Sequence, residues 1–158
     1  MMVDNNMIVS GGVSAAGAVS YQTVTGASAV LSTNTVDLLN ARDIGEGQQV
    51  FARMSVGTAF AGLTALTAEI IVADDAGLTT NVTVIGSTGA IPVASLTAGA
   101  RFAVAALPRI SQTGRRYLGM RYTPSGTGTA GTVFADYGIE VADASAGAKA
   151  TASGFAVL

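Results

Sequence analysis

The chain contains no histidine, no cysteine and no tryptophan, and only 11% of its residues are charged. Each absence removes a class of chemistry. Ser-His-Asp and Cys-His nucleophilic sites need residues that do not occur. Ordinary zinc sites, built from Cys and His, are excluded for the same reason. No disulfide can form, so cysteine usage carries no reading of the redox compartment. The single lysine, Lys149, lies in a low-complexity segment, a poor place for the desolvated amine of a Schiff base. Eight basic residues against ten acidic ones leave a net charge of −2, with no basic run beyond Arg115-Arg116. Sequence-independent nucleic-acid binding rests on a dense basic face, so no nucleic-acid partner is expected. The mean hydropathy is high, +0.50, yet it comes from scattered Ala and Val. No run of about 18 apolar residues occurs, so no membrane-spanning helix is expected. The first basic residue is Arg42, and no secretory leader is expected either. No catalytic, cofactor or metal residues are assigned.

What the chain does contain is material for packing surfaces and turns. Its 158 residues suit one domain that buries roughly 70% of its unfolded surface. The core must be assembled from small pieces, because aromatics make up only 6% of the chain. A buried Leu, Val or Phe contributes about 1.5–3 kcal/mol and an Ala much less. A protomer so built is expected to gain stability by assembling.

Period-two alternation is the main structural signal. Across Thr132–Ala142, Val133, Ala135, Tyr137, Ile139 and Val141 alternate with Phe134, Asp136, Gly138 and Glu140. This predicts a strand with one buried face and one largely wet face. Arg116–Thr123 alternates likewise, with Leu118, Met120 and Tyr122 on one face. Pro124–Gly131 between them is turn chemistry, so the two are expected as antiparallel neighbours joined by a Gly/Thr-rich loop. Val19–Val24, Thr33–Leu39, Gln49–Val56, Thr80–Ile85 and Arg101–Leu107 are also expected as strands. Thr64–Ala73 has apolar residues at helical spacing, but its β-branched content favours strand. Short strands separated by turn signals predict an all-β sandwich, barrel or jelly roll. Residues 1–18 read as an N-terminal arm, 19–142 as the β domain and 143–158 as an Ala/Gly/Ser-rich tail. The ends are either frayed or order against a neighbour. Met7-Ile8-Val9 and Phe155–Leu158 favour the second, since apolar anchors need something to bury against.

The remaining motifs carry little chemistry. Gly126-Thr-Gly-Thr-Ala-Gly131 matches G-x-G-x-x-G, but the dinucleotide fingerprint needs a helix after it and here a strand follows. Asp136 and Glu140 lie on one strand face about 13 Å apart, beyond the roughly 5–9.5 Å of glycosidase pairs. Asp74-Asp75 reads as a solvated turn without the oxygen spacing of an EF-hand. Asn81-Val82-Thr83 is a formal glycosylation sequon and, with no secretory leader expected, reads as a chance match. Arg115-Arg116, Arg121 and Arg42-Asp43 read either as solvated strand ends with a turn salt bridge or as polar interface contacts beside Tyr117, Met120 and Tyr122.

Several stretches together carry a family resemblance: Ser32–Leu38, Ala41–Gly47, Thr58–Thr67, Gly89–Leu96, Arg116–Tyr122 and Gly126–Gly131. In order and spacing, over roughly residues 30–142, the chain resembles the small capsid cement (decoration) proteins of tailed phages of the Bordetella-phage type. The resemblance implies an antiparallel β-sandwich of jelly-roll type. It also implies a place on the outer surface of the virion's capsid, with the major capsid protein as partner. Such proteins associate as homo-oligomers, dimers or trimers, and bridge neighbouring capsomers. No catalytic or cofactor residue carries over. The residues expected to touch the capsid or another copy are Met7, Ile8, Val9, Arg42, Asp43, Arg115, Arg116, Tyr117 and Phe155. Two other functions are weighed beside this one: a glycan- or receptor-binding β-sandwich on a phage particle, and a carboxylate-based hydrolase. The first needs exposed aromatic platforms, and Tyr117 and Tyr122 lie on opposite faces of one strand. The second needs two carboxylates facing across a cleft.

Overall fold

The computed structural model describes residues 5–40, 50–106 and 114–138, and within them the chain is all-β. The strands are β1 (Ile8–Ser10), β2 (Gly12–Val13), β3 (Val19–Ser20), β4 (Gln22–Thr23), β5 (Val30–Leu31), β6 (Val36–Asp37), β7 (Phe51–Val56), β8 (Ala61–Ala73), β9 (Thr83–Pro92), β10 (Arg101–Ala105), β11 (Tyr117–Ala130) and β12 (Thr132–Gly138). One antiparallel sheet has the order β1-β12-β7-β10, with β4 also beside β12. A second has the order β5-β11-β8-β9, with β6 also beside β11. β2 and β3 form a separate two-stranded hairpin.

Alternation explains how the two large sheets meet. β7 turns Ala52, Met54 and Val56 inward, and β12 turns Val133, Ala135 and Tyr137 inward. From the other sheet come Leu66, Ala68, Ile70 and Val72 of β8 and Leu118, Met120 and Tyr122 of β11. All belong to one buried cluster, so the sheets form a sandwich over a common core. Two polar links among the described residues join the layers through the core. The Tyr137 hydroxyl donates to the Gly119 carbonyl at 2.9 Å, and the Ser10 and Tyr122 hydroxyls share a hydrogen bond at 2.7 Å.

The N-terminal third laces one open side of the sandwich. β1 and β4 lie along β12, while β5 and β6 lie along β11. Side-chain amides stitch the two rims together. Asn34 donates from Nδ2 to the Ile8 carbonyl at 3.2 Å, and Gln22 donates from Nε2 to the Leu31 carbonyl at 2.6 Å. On the opposite side β9 and β10 come so close that a Cβ on Gly86 would stand 2.6 Å from the Ala105 carbonyl oxygen.

Several sequence expectations meet the structure differently. β11 and β12 are not partners: β11 pairs with β8 and β12 with β7, so consecutive strands change sheet. The Gly/Thr-rich stretch is not a free loop. It continues β11 to Ala130 through irregular pairing with β8, and Gly128 bridges Gly26. The chain then crosses between layers at Gly131, at φ 145°, where the Phe60 ring occupies the space a side chain would need. At Gly128 and Gly131 the small residues of this stretch permit close approach of backbone and ring instead of forming a free turn. Thr64–Ala73 is strand, within the longer β8. Thr80–Ile85 shifts to Thr83–Pro92, because Leu78 and Asn81 take positive φ, 56° and 51°, in the preceding turn. Val19–Val24 breaks at Tyr21 into β3 and β4, and Thr33–Leu39 narrows to β6. The N-terminal arm expected over residues 1–18 contains β1, an integral strand of the first sheet. Gln49, Leu107, residues 139–142 and the tail 143–158 lie outside the described residues.

Candidate docking surface

Most charged side chains among the described residues are arranged in pairs, Arg101 and Asp75 standing outside the four ion pairs. On the outer face of the first sheet, Arg53 grips Asp136 through both carboxylate oxygens, Nε at 2.8 Å and Nη2 at 2.5 Å. The face of β12 read from sequence as largely wet is therefore closed here: Asp136 is 4% exposed. On the second sheet Arg121 donates to Glu69 at 2.8 Å. Arg116 donates to both oxygens of Asp37 at 2.6 Å, and its guanidinium holds the Asp37 carboxyl down at about 2. Arg115 donates to Asp74 at 2.8 Å.

The turn between β8 and β9 is built on two carboxylates. Asp75 accepts from the backbone N–H of Thr79 at 3.0 Å and of Thr80 at 2.6 Å. Asp74 accepts from the Asn81 amide at 2.7 Å as well as from Arg115. These hydrogen bonds, Asn81 first for Asp74 and Thr80 first for Asp75, lower both carboxyls below their ordinary value. The turn thereby carries Leu78 back over the outer face of the second sheet, into the space left by Gly119. There it seals a small apolar cluster with Ile71 and Ala73, against which Tyr117 packs. Asp74 and Asp75 thus hold a turn as ionised acceptors, the opposite of a carboxyl raised to act as general acid. Among the described residues no group of three or more His, Cys, Asp or Glu is placed to hold a metal, and no helix is long and apolar enough to cross a membrane.

The residues singled out from sequence scatter over this frame. Met7 is 38% exposed, at the end of the short 3-10 turn Asn5–Met7 that leads into β1. Ile8 and Val9 are buried at 3% and 0%, within the protomer. The apolar anchor thus has its burial partner in this chain's own sheet. Arg115 and Arg116 are engaged with Asp74 and Asp37, and the Arg116 guanidinium also lies 5.1 Å from the Tyr117 ring centre. Arg42, Asp43 and Phe155 lie outside the described residues.

The structure draws attention to a feature the sequence reading passed over. Between β1 and β4, the hairpin of β2 and β3 stands off the edge of the first sheet, pairing Gly12 with Ser20 and Val13 with Val19. Its two valines are 40% and 49% exposed, and Tyr21 at its base is 46% exposed. The tip closes through Ser14, whose N–H donates to the Ala18 carbonyl and whose carbonyl accepts from Gly17, both at 2.9 Å. The base is fixed. Gly11, at φ 82°, lies against the Ser20 carbonyl where no side chain fits. The Tyr21 ring meets Phe134 edge-on with centroids 6.4 Å apart, and it fills the space above Gly57. Residues 5–36 contain no charged side chain. The available sequence signal was Val13 and Val19 bracketing Ser14-Ala-Ala-Gly-Ala18 in a charge-free stretch, which is a hairpin pattern with apolar cross-strand partners.

No curated protein matches the chain. A family model described as Bbp16 matches residues 7–137, from the turn before β1 through the last inward-facing residue of β12. With most of its length matched in this way, the chain belongs to the Bbp16 family, whose name points to a Bordetella phage protein.

Proposed function

We propose that this protein is a structural virion protein, a capsid cement protein that binds the outer surface of a phage capsid. It contacts the major capsid protein, associates with itself as a homo-oligomer and bridges neighbouring capsomers. A jelly-roll type of sandwich is the finer fold assignment that goes with this reading. The observation that carries it is the division of labour on the protomer surface. The ion pairs Arg53–Asp136, Arg115–Asp74, Arg116–Asp37 and Arg121–Glu69 are closed within the protomer, whereas an apolar, uncharged hairpin is held out in solvent on a rigid base. Such a surface is suited to adhesion repeated over many equivalent sites, where weak contacts are multiplied by avidity. The experiment is to compare heads with and without the protein. Heads that carry it are expected to resist heating and osmotic shock better, with its density on the outer shell. Its absence from particles, or heads of equal stability without it, defeats the proposal.

The exposed Tyr21 ring supports a second reading, recognition of a host glycan or receptor, because aromatic faces are the usual sugar platforms. Glycan-array binding by the isolated protein, lost in Tyr21→Ala, favours that function instead.

A further inference from the structure

We infer that the hairpin Gly12–Ser20 is the element that seats the protein on the shell, and that it docks on an uncharged, apolar part of the major capsid protein's outer surface. This rests on the cement reading above and names the contact within it.

Three observations lead there. First, the hairpin and its base hold three of the six large apolar side chains left exposed among the described residues, Val13, Val19 and Tyr21, and the rims beside it are tied within the protomer. Asn34 and Gln22 tie the β1 and β4 rim to the β5 and β6 rim, and β9 abuts β10 at Gly86. The hairpin is a two-stranded sheet with no further strand beside it among the described residues. It therefore offers open backbone edges together with exposed Val13 and Val19, the combination that strand addition uses. Second, no charge lies between residues 5 and 36. A charged partner surface would lose hydration against the hairpin with nothing to pair it, so the complementary surface is uncharged. Third, its size selects the occupant. A standard interface takes about 20–30 residues and 800 Å² per partner, so a hairpin of roughly ten residues supplies about 300–400 Å². That is too little for a stable dimer free in solution. It suffices for a contact repeated over a shell by molecules that are linked to one another, where the second attachment is intramolecular. The shell protein is therefore the occupant, and self-association uses other surfaces. The close seat of the base, with Tyr21 on Phe134 and Gly57, holds the hairpin ready-made, so docking orders little new chain.

The test uses heads lacking the protein and the full-length chain, wild type against Val13→Ser/Val19→Ser and against Ala16→Asp at the exposed tip. Bound protein per head is read from titrations, and the oligomeric state from light scattering. Ala16 is exposed, so its variant tests docking even if the valine pair affects folding. Wild type is expected to saturate heads with affinity that changes less than about twofold between low and high salt, since no exposed charge takes part. Both variants are expected to bind about tenfold more weakly or worse, with the oligomer unchanged. If wild type binds and both variants bind equally well, the hairpin assignment is wrong while the cement function stands. If the variants dissociate to monomers yet still occupy heads, a second copy covers the hairpin and the assignment is overturned. A steep loss of wild-type affinity with salt also overturns it. If wild type does not bind heads at all, the failure lies in the cement reading itself.

Discussion

Replacing Tyr122 by Phe tests how β1 is held onto the sandwich. Ser10 and Tyr122 are both fully buried, and their hydroxyls are 2.7 Å apart across the core. Among the described residues the one other group that the Tyr122 hydroxyl reaches is the Met120 sulfur at 3.6 Å, a weak acceptor. Tyr122→Phe keeps the ring and leaves the Ser10 hydroxyl buried without a partner, a cost of about 1–3 kcal/mol. Ser10→Ala does the reverse and orphans the Tyr122 hydroxyl at a similar cost. The double variant orphans neither group. It should therefore be less destabilised than the sum of the singles by about 1 kcal/mol or more. For a chain of this size each kcal/mol moves Tm by about 2–4 °C, so both single variants should melt measurably early. Urea unfolding at one fixed protomer concentration measures all four corners of the cycle, because self-association would otherwise shift apparent stability. Hydrogen exchange should show faster opening of β1 in both single variants, since the bond joins that strand to the opposite sheet. Strictly additive costs, or single variants within 0.5 kcal/mol of wild type (about the scatter expected of an inert surface change), refute the reasoning.

Asp136→Asn should destabilise the protein by about 1.5–3 kcal/mol, because it removes the carboxylate that accepts from both Nε and Nη2 of the largely buried Arg53; unchanged urea midpoints contradict this. High pH should unfold the protein through its buried tyrosines. Burial pushes the Tyr122 and Tyr137 hydroxyls well above their ordinary value, so the folded state holds those protons more tightly than the unfolded chain. Their contribution is fully present below the unfolded-chain value of about 10 and is lost as pH rises beyond it. Absorbance at 295 nm should therefore show these two tyrosinates appearing only as the β-sheet circular dichroism disappears, and their formation with that signal intact contradicts the burial argument.

Much of the fold was legible because alternation has a local cause. Side chains along a strand point to opposite faces, so Val133, Ala135 and Tyr137 on β12, and Leu118, Met120 and Tyr122 on β11, announced both strands and their inward faces. The pairing of those strands was not legible. A short glycine-rich connection between two alternating runs has the same local chemistry whether it turns within one sheet or crosses to another. The crossing at Gly131 is set by Phe60 and by β8, both far away in sequence. The candidate contact surface was legible only in part. Arg115 and Arg116 stood out as surface cations, but their engagement with Asp74 and Asp37 spans 41 and 79 residues and no spacing rule reveals it. Val13 and Val19 carry a usable local pattern, but the boundary between the expected arm (1–18) and the expected strand Val19–Val24 divides the pair.

The sequence by itself determined what this protein is made to avoid and the class of fold it adopts. Without histidine and cysteine it cannot build the commonest catalytic and metal centres, and with alternating small and β-branched residues it must bury one face of each strand. Both follow from residue identity and a two-residue period. Only the tertiary structure decided which apolar residues are left over. Ile8 and Val9 are as apolar as Val13 and Val19, yet the first pair is covered by the protomer and the second stands in solvent. That difference arises because β12 has room along its edge for β1 and for β4 but not for the hairpin between them. Exposure is a property of what packs alongside, and a sequence read residue by residue does not contain it.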